Sequence, residues 1–286
     1  MQNTFQKGMK RLLVGLLILF GIAVFCYFEN NAITVSEYEI TSEKIPESFD
    51  GFVVVHLSDL HNKLFGENQK ELIAHVKKQN PDMIVITGDL IDSNHPNVET
   101  GLLLVEEAMK IAPVYFVTGN HDNYLSDTDT FALFQGLERL GARVLMNEKT
   151  DIYLENEEEY ISLLGIDDNL VAYTSIFRET LATLTKQEEG EEAFVLLLAH
   201  QPQVLRVYSE YEIDLVLSGH AHGGQFRIPF VGGFVAPDQG FLPKYTKGLY
   251  EENGTKMIVS AGLGNSVIPQ RLLNRPEVVK ITFNSK

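Results

Sequence analysis

Cysteine is nearly absent from this 286-residue sequence, and several common catalytic devices are absent altogether. The single cysteine, Cys26, lies in an apolar stretch near the N-terminus. The rest of the chain can therefore form no internal disulfide and provides no thiolate nucleophile or thiolate metal ligand. The sequence also contains no G-x-S-x-G nucleophile turn and no G-x-x-x-x-G-K-[ST] phosphate-binding loop. These absences exclude disulfide-stabilised folds, cysteine-dependent catalysis and P-loop nucleotide binding.

Basic residues are scarce relative to acidic ones. The chain has 23 Lys plus Arg against 39 Asp plus Glu, a formal net charge of −16. Residues 1–28 carry three cations and no acid, so the remainder has a formal charge of 20 − 39 = −19. A surface of this sign repels polyanions, and no basic stripe is present beyond ordinary pairs such as Lys77-Lys78. No nucleic-acid partner is expected.

Basic residues precede an unbroken apolar run at the N-terminus, which predicts a transmembrane anchor. Lys7, Lys10 and Arg11 are followed by 17 uncharged residues, 12–28. As a helix this run is about 25 Å long, at the short end of what spans a bilayer. A cleaved signal peptide is the alternative, but the bulky residues 25–28 form a poor cleavage site.

The predicted anchor implies which side of the membrane the main domain lies on and how the chain divides into segments. Bulky Phe25 argues against lipidation of Cys26, which is better read as an apolar membrane cysteine. Cations before the span favour a cytoplasmic N-terminus, so we predict a single-pass protein of the cell membrane with its main domain outside the cytoplasm. Residues 1–28 are then a cytoplasmic stub and the anchor, 29–50 a linker and first strand region, and 51–286 the main domain.

Beyond a short linker near residues 41–50, apolar β-branched runs alternate with helical patterns, which is typical of a layered α/β domain. The predicted strands are 52–57, 83–87, 114–117, 161–165, 194–199, 215–218, 256–259 and 278–283. The predicted helices are 68–79, 98–109, 130–140 and 175–186. Asn253-Gly254-Thr255 matches a glycosylation sequon, but Asn-Gly between two apolar runs predicts a hairpin turn first.

Polar clusters follow five of the predicted strands at the point where each strand ends. Functional crevices in open α/β sheets lie beyond the carboxyl ends of the strands, so we expect the clusters to converge. They are Ser58-Asp59-Leu60-His61, Gly88-Asp89, Gly119-Asn120-His121-Asp122, His200 and Gly219-His220-Ala221-His222-Gly223-Gly224. Taken singly, each could equally be a turn or a helix cap. His56, His75 and His95 lie outside the clusters and are expected to be ordinary structural or surface residues.

The side chains of these clusters are suited to divalent metal ions. Aspartate, asparagine and histidine offer oxygen and nitrogen ligands without thiolate, as Mn, Fe, Zn and similar ions prefer. One carboxylate can bridge two such ions and keep them about 3.5–4 Å apart. The neighbouring glycines permit tight turns and a close approach of backbone to ligand.

Together and in this order, the five clusters resemble the motifs of the calcineurin-like metallophosphoesterase superfamily: D-x-H, G-D, G-N-H-D/E, a lone His and G-H-x-H. Residues 219–225, with Gly262-Leu263-Gly264 and Pro269-Gln270-Arg271, are similar to the bacterial membrane-associated branch of that superfamily. The resemblance implies a four-layer α/β/β/α sandwich behind the N-terminal transmembrane anchor.

The resemblance also implies a role for each motif residue. It implies two divalent ions, with manganese favoured and zinc or iron as alternatives. One ion would be bound by Asp59, His61 and His222 and the other by Asn120, His200 and His220, with Asp89 bridging both. His121 would donate a hydrogen bond to the phosphoryl group or the leaving oxygen. Asp122 would hold the His121 imidazole in position.

The implied activity is hydrolysis of a phosphoester by a hydroxide that bridges the two ions. The bond could belong to a phosphodiester, a phosphomonoester or a pyrophosphate, and the membrane anchor favours a cell-envelope or lipid-linked substrate. The alternative is a non-catalytic, metal-binding scaffold protein of the envelope. Residues 226–245, rich in phenylalanine, glycine and proline, could shape a substrate rim, meet lipid or form a packed loop.

Overall fold

The computed structural model describes residues 2–155, 157–172, 174–187 and 192–286. Its α-helices are α1 (Gln2–Asn31), α2 (Lys70–Lys78), α3 (Val98–Met109), α4 (Asn120–Asn123), α5 (Asp127–Leu140), α6 (Thr174–Leu184) and α7 (Leu205–Tyr208). Its strands are β1 (Thr34–Ser42), β2 (Val53–Leu57), β3 (Met83–Thr87), β4 (Val114–Val117), β5 (Arg143–Val144), β6 (Glu148–Tyr153), β7 (Tyr160–Gly165), β8 (Phe194–Leu198), β9 (Leu215–Ser218), β10 (Arg227–Ile228), β11 (Gly232–Gly233), β12 (Val235–Ala236), β13 (Gly240–Phe241), β14 (Gly248–Glu252), β15 (Thr255–Val259) and β16 (Glu277–Ser285).

Most strands belong to two six-stranded mixed sheets. In the first sheet the order is β1-β16-β2-β3-β4-β5, and β2 to β5 are parallel to one another. In the second sheet the order is β14-β15-β9-β8-β7-β6, with β15, β9, β8 and β7 parallel. Each sheet therefore presents several carboxyl strand ends along one edge.

The two sheets pack face to face, with helices on both outer faces. Apolar residues of α2, α3 and α5 cover the outer face of the first sheet. A second cluster lies between the sheets and contains Phe49, Phe194 and Phe283. A third joins the outer face of the second sheet to α6 and α7. The predicted four-layer α/β/β/α sandwich is confirmed.

The predicted strands and helices are present with small shifts at their ends. The hairpin turn at Asn253-Gly254 is also confirmed, since β14 pairs antiparallel with β15 and both turn residues have positive φ. Strand β1 lies in the region 29–50, where a first strand was expected without bounds, and the sequence did not indicate β5 and β6; all three lie at sheet edges. An edge strand has one paired side and tolerates charged, exposed residues, so its hydrophobic pattern is weak.

Residues 29–50, predicted as a linker and first strand region, contain a nine-residue strand. β1 extends the first sheet by pairing in parallel with β16 along Thr34–Ser42. Ile45 and Phe49, in the stretch that the sequence suggested was a linker, are buried between the sheets. The division at residues 28 and 50 stays a prediction, with part of the middle segment built into the sandwich.

The N-terminal apolar run forms a single long helix. In the part of the chain that the structure describes, Phe5–Asn31 is the one helical stretch long and apolar enough to cross a membrane. Large apolar side chains along it, such as Leu17, Phe20 and Phe25, are exposed. The helix is thus consistent with a membrane anchor by length and composition.

Candidate metal centre

The five polar clusters converge at the carboxyl ends of the strands of both sheets. β2 leads to Asp59 and His61, and β3 leads to Asp89. From the second sheet, β8 leads to His200 and β9 to the turn with two histidines. These carboxylates and imidazoles are almost completely buried: Asp59, His61, Asp89, His200, His220 and His222.

One group of potential ligands brings together Asp59, His61, Asp89 and His222, with ligand atoms within 4.8 Å of one another. His61 Nε2 lies 3.3 Å from Asp89 Oδ2 and 3.2 Å from His222 Nε2. His222 Nε2 lies 3.5 Å from Asp59 Oδ1. Imidazole nitrogens and carboxylate oxygens thus face one small volume, as the ligands of a metal ion do.

A second group brings together Asp89, His200 and His220. His200 Nε2 lies 3.3 Å from Asp89 Oδ2 and 3.1 Å from His220 Nδ1. Asn120 follows β4 and precedes His121, whose backbone N–H donates to Asp89, and the Asn120 Oδ1 is buried without a hydrogen-bond partner among the described residues. A buried, unpartnered acceptor is costly unless something binds it, and a cation would do so. The residues present therefore fit a two-ion centre.

Asp89 belongs to both groups. Its Oδ2 is equidistant from an imidazole of each sheet, and its Oδ1 accepts a hydrogen bond from the backbone N–H of His121 at 2.8 Å. Burial would raise the pKa of Asp89, but His200 and His61 outweigh burial and hold it well below its usual value. Asp89 is therefore an ionised carboxylate at the junction of the two groups.

The backbone around the cluster is held in an uncommon conformation. Asp59, His61, Asp89, His220 and His222 all have positive φ, between 46° and 64°. Non-glycine residues rarely adopt this region, and such residues concentrate at functional sites. The space is also tight, because a Cβ on Gly219 would lie 2.4 Å from Asp59 Oδ2.

His121 lies beside the first group with its ring perpendicular to that of His61 at 4.6 Å. Its Nδ1 accepts a hydrogen bond from the backbone N–H of Ser93 at 3.2 Å, and the Ser93 hydroxyl is 3.0 Å away. Accepting at Nδ1 leaves the proton of the neutral ring on Nε2. Burial lowers the pKa of His121, which favours this neutral form.

The expected contact between Asp122 and the His121 imidazole is corrected by the structure. The described partners of the Asp122 carboxylate are the backbone N–H groups of Gly119, Ile91 and Leu90. Asp122 is buried, and its carboxylate accepts these backbone hydrogen bonds instead of one from the ring. The carboxylate near the ring is that of Asp92, with Oδ1 3.3 Å from His121 Nδ1.

Two contacts at the centre were not visible in the sequence. Asp238 Oδ2 lies 2.8 Å from His220 Nε2, which leaves Nδ1 of that ring facing His200. Ser266 Oγ lies 3.3 Å from His121 Nε2. Both residues come from loops without a strand-end motif, so only the folded chain reveals them.

The three histidines that were expected to be ordinary lie outside the two groups. His56 is buried in β2, where Nε2 lies 2.7 Å from the Thr87 hydroxyl, and burial lowers its pKa to about 3. His75 lies on α2, and the His95 side chain is 89% exposed.

Comparisons with known proteins agree with this geometry. The sequence model of the calcineurin-like phosphoesterases matches residues 52–224. The uncharacterized metallophosphoesterase YkuE of Bacillus subtilis is 30% identical over 263 residues, covering 91% of this chain and 88% of its own. A zebrafish protein named transmembrane protein with metallophosphoesterase domain is 33% identical over 258 residues, covering 87% of this chain and 57% of its own.

Among solved structures, a dimetal phosphatase from Danio rerio superimposes with a TM-score of 0.41 at 14% identity, covering 75% of this chain and 88% of that one. The family match spans all five clusters, and the Bacillus relative aligns over most of both chains. The chain therefore belongs to the calcineurin-like phosphoesterase family and is a metal-dependent hydrolase of phosphoester bonds.

Proposed function

We propose that this protein hydrolyses a cell-envelope or lipid-linked phosphoester at the outer face of the membrane, using two divalent ions. The observation that carries the proposal is the position of Asp89. Its Oδ2 is 3.3 Å from both His61 Nε2 and His200 Nε2, so one buried carboxylate can serve two ions at once. Neither a mononuclear site nor a purely structural ion needs a shared ligand of this kind.

The proposed ligand sets follow the two groups. One ion would be held by Asp59, His61 and His222 and the other by Asn120, His200 and His220, with Asp89 shared between them. The donors are oxygen and imidazole nitrogen, which suit manganese, zinc and iron alike; of these we propose manganese, with zinc or iron as alternatives.

When bound, the two ions supply a hydroxide nucleophile at neutral pH and neutralise charge on the phosphoryl oxygens. The protein contributes His121, whose Nε2 proton is available because Nδ1 is occupied by the Ser93 N–H. In our proposal His121 donates to the phosphoryl group or to the oxygen of the leaving group. Asp122 acts indirectly. Its carboxylate accepts hydrogen bonds from the backbone N–H groups of Gly119 and Ile91, which fixes the turn that carries His121.

A non-catalytic envelope scaffold is the alternative. A scaffold needs metal ligands but has no use for a non-ligating imidazole beside them. His121 is half-buried and held at Nδ1 by two groups of Ser93, which supports the enzyme.

The proposed location rests on α1 and on the cations before it. Lys7, Lys10 and Arg11 favour a cytoplasmic N-terminus, which would place residues from Glu29 onward outside the cytoplasm. The printed name of the zebrafish relative also describes a transmembrane protein.

Protease added to intact cells should digest the domain, and complete protection would contradict this orientation.

The full-length protein should hydrolyse bis-p-nitrophenyl phosphate or p-nitrophenyl phosphate with Mn²⁺ and lose activity with a chelator. Asp89→Asn should lower kcat/KM by at least about 100-fold. The substitution removes the negative charge that would hold both ions, and the ions contribute several kcal/mol of transition-state stabilisation. Asp127→Asn, at an exposed carboxylate at the start of α5, is the matched control. Full activity of Asp89→Asn would refute the two-ion centre, and the preferred compound would separate diesterase from monoesterase.

His121→Ala should lower kcat by about 10²–10⁴-fold, the range for loss of a positioned proton donor, without changing metal content. Steady-state kinetics and metal analysis by mass spectrometry would be made on the same preparation. His95→Ala, at an exposed histidine, should match the native enzyme. Unchanged turnover of His121→Ala would remove this residue from the mechanism and revive the scaffold alternative.

A further inference from the structure

The end of α1 is joined to the domain without a flexible linker. α1 ends at Asn31 and β1 begins at Thr34. Glu29 is 2% exposed, and its carboxylate accepts hydrogen bonds from Arg275 Nε at 3.0 Å and from the backbone N–H of Asn274 at 3.1 Å. The domain therefore cannot move far from the point where the apolar run ends.

The next residue strengthens this joint. Asn30 Oδ1 accepts a hydrogen bond from the backbone N–H of Arg271 at 2.8 Å, and its Nδ2 donates to the carbonyl of Pro269 at 2.9 Å. The Lys63 ammonium donates to the Asn30 carbonyl. Because the apolar run ends at residue 28, an inserted α1 would place residues 269–275 at the lipid–water boundary.

The segment that contacts α1 also borders the metal centre. Asn274 Nδ2 donates to the carbonyl of His222 at 2.7 Å, and the backbone N–H of Gly264 donates to the carbonyl of Asp59 at 2.6 Å. A second segment is bonded to the first, since the N–H of Arg227 donates to the carbonyl of Leu272 at 2.9 Å. We call residues 226–247 and 262–275 the rim segments.

The rim segments flank the centre on two sides. Ser266, from one of them, lies beside His121, and Asp238, from the other, lies beside His220. The membrane helix, the rim segments and the metal centre are thus one hydrogen-bonded unit.

The rim segments expose an unusual amount of apolar surface. Phe230 is fully exposed, Val267 is 86% exposed and Phe241 is 75% exposed. The exposed large apolar residues of these segments are Ile228, Phe230, Val231, Phe234, Phe241, Leu242, Val267 and Leu273. Ile228, Phe230, Val231 and Leu273 line one surface groove, and the rings of Phe234 and Phe241 lie 5.5 Å apart. Contiguous exposed apolar surface of this kind marks a contact with lipid or protein.

The basic residues of the rim segments are a second sign of lipid as the partner. The segments contain five cations and one acid, a formal charge of 5 − 1 = +4 in a chain of −16. Arg271 is fully buried, and Lys247 and Arg275 pair with Glu277 and Glu29. Lys244, with its side chain 72% exposed, follows the exposed Phe241 and Leu242 in the sequence. An exposed lysine beside exposed aromatic and apolar residues is typical of segments that lie in the headgroup region of a bilayer.

We propose that the rim segments form a second membrane-contact surface, which lies in the lipid headgroup region and holds the metal centre against the bilayer. Phe230 and Phe241 enter the boundary between headgroups and acyl chains. This inference rests on the proposed membrane location of α1. It does not depend on which phosphoester is hydrolysed.

The chain contains no tryptophan, so a single introduced indole reports one position. Full-length Phe230→Trp and Phe241→Trp would be reconstituted in 3:1 phosphatidylcholine–phosphatidylglycerol vesicles, with or without bromine on the acyl chains. Phe20→Trp is the control within the apolar run. Tyr153→Trp is the control at the opposite end of the sandwich, because Tyr153 pairs with Tyr160 at the start of β7.

Brominated vesicles should reduce the fluorescence of Phe230→Trp, Phe241→Trp and Phe20→Trp about twofold or more, and leave Tyr153→Trp unchanged. Quenching of the two rim indoles by aqueous iodide instead, while Phe20→Trp is quenched by bromine, would overturn the proposal. Protection of the rim indoles from both quenchers would also overturn it, since a second copy or another protein would then cover the surface. If Phe20→Trp is not quenched, α1 is not inserted and the proposal fails with it. Hydrolysis of bis-p-nitrophenyl phosphate by the same variants reports the proposed activity separately.

Discussion

The arrangement of the site depends on one buried carboxylate. Asp89 is 1% exposed, yet it contacts an imidazole from each of the two sheets and a backbone N–H from the turn after β4. An ionised carboxylate at this depth is stable only when positive charge surrounds it, because its desolvation is otherwise very costly. In the structure the imidazoles of His61 and His200 face this carboxylate. With two divalent ions bound, those imidazoles would be neutral ligands and the ions would provide the positive charge, which would explain why so many donors converge on this carboxylate.

The sandwich brings these donors together because both of its sheets contain parallel strands. Each sheet contributes parallel strands whose carboxyl ends face the same region, so short strand-end motifs far apart in sequence become neighbours. Five of the candidate ligands have positive φ, which is a strained backbone conformation for residues other than glycine. Packing of the buried strands on both sides holds that strain, and the close approach at Gly219 leaves no room for a side chain.

The layered fold and the convergence of the strand-end residues were predictable from sequence for the same reason. Buried strands such as β3 and β8 are continuous apolar runs, and the polar residue that ends each run is conspicuous against them. Edge strands were harder to predict: β1 was expected only as a strand region without bounds and β6 was missed, because both mix charged residues into half-exposed surfaces.

Contacts made by loops could not be predicted from the sequence either. Asp92 and Ser93 approach His121 because the chain turns back after β3, and Asp238 reaches His220 from a loop of phenylalanines, glycines and prolines. For Asp122 the sequence led to an expectation that the structure contradicts. A carboxylate next to the imidazole in sequence was expected to hold it, but the turn directs that carboxylate to backbone N–H groups.

The most direct test of a two-ion centre at Asp89 is anomalous diffraction from crystals of the protein grown with Mn²⁺. Two anomalous peaks about 3.5–4 Å apart should flank the Asp89 carboxylate. One should be bonded to Asp59, His61 and His222, and the other to Asn120, His200 and His220. A single peak, or two peaks that do not share Asp89, would contradict the account.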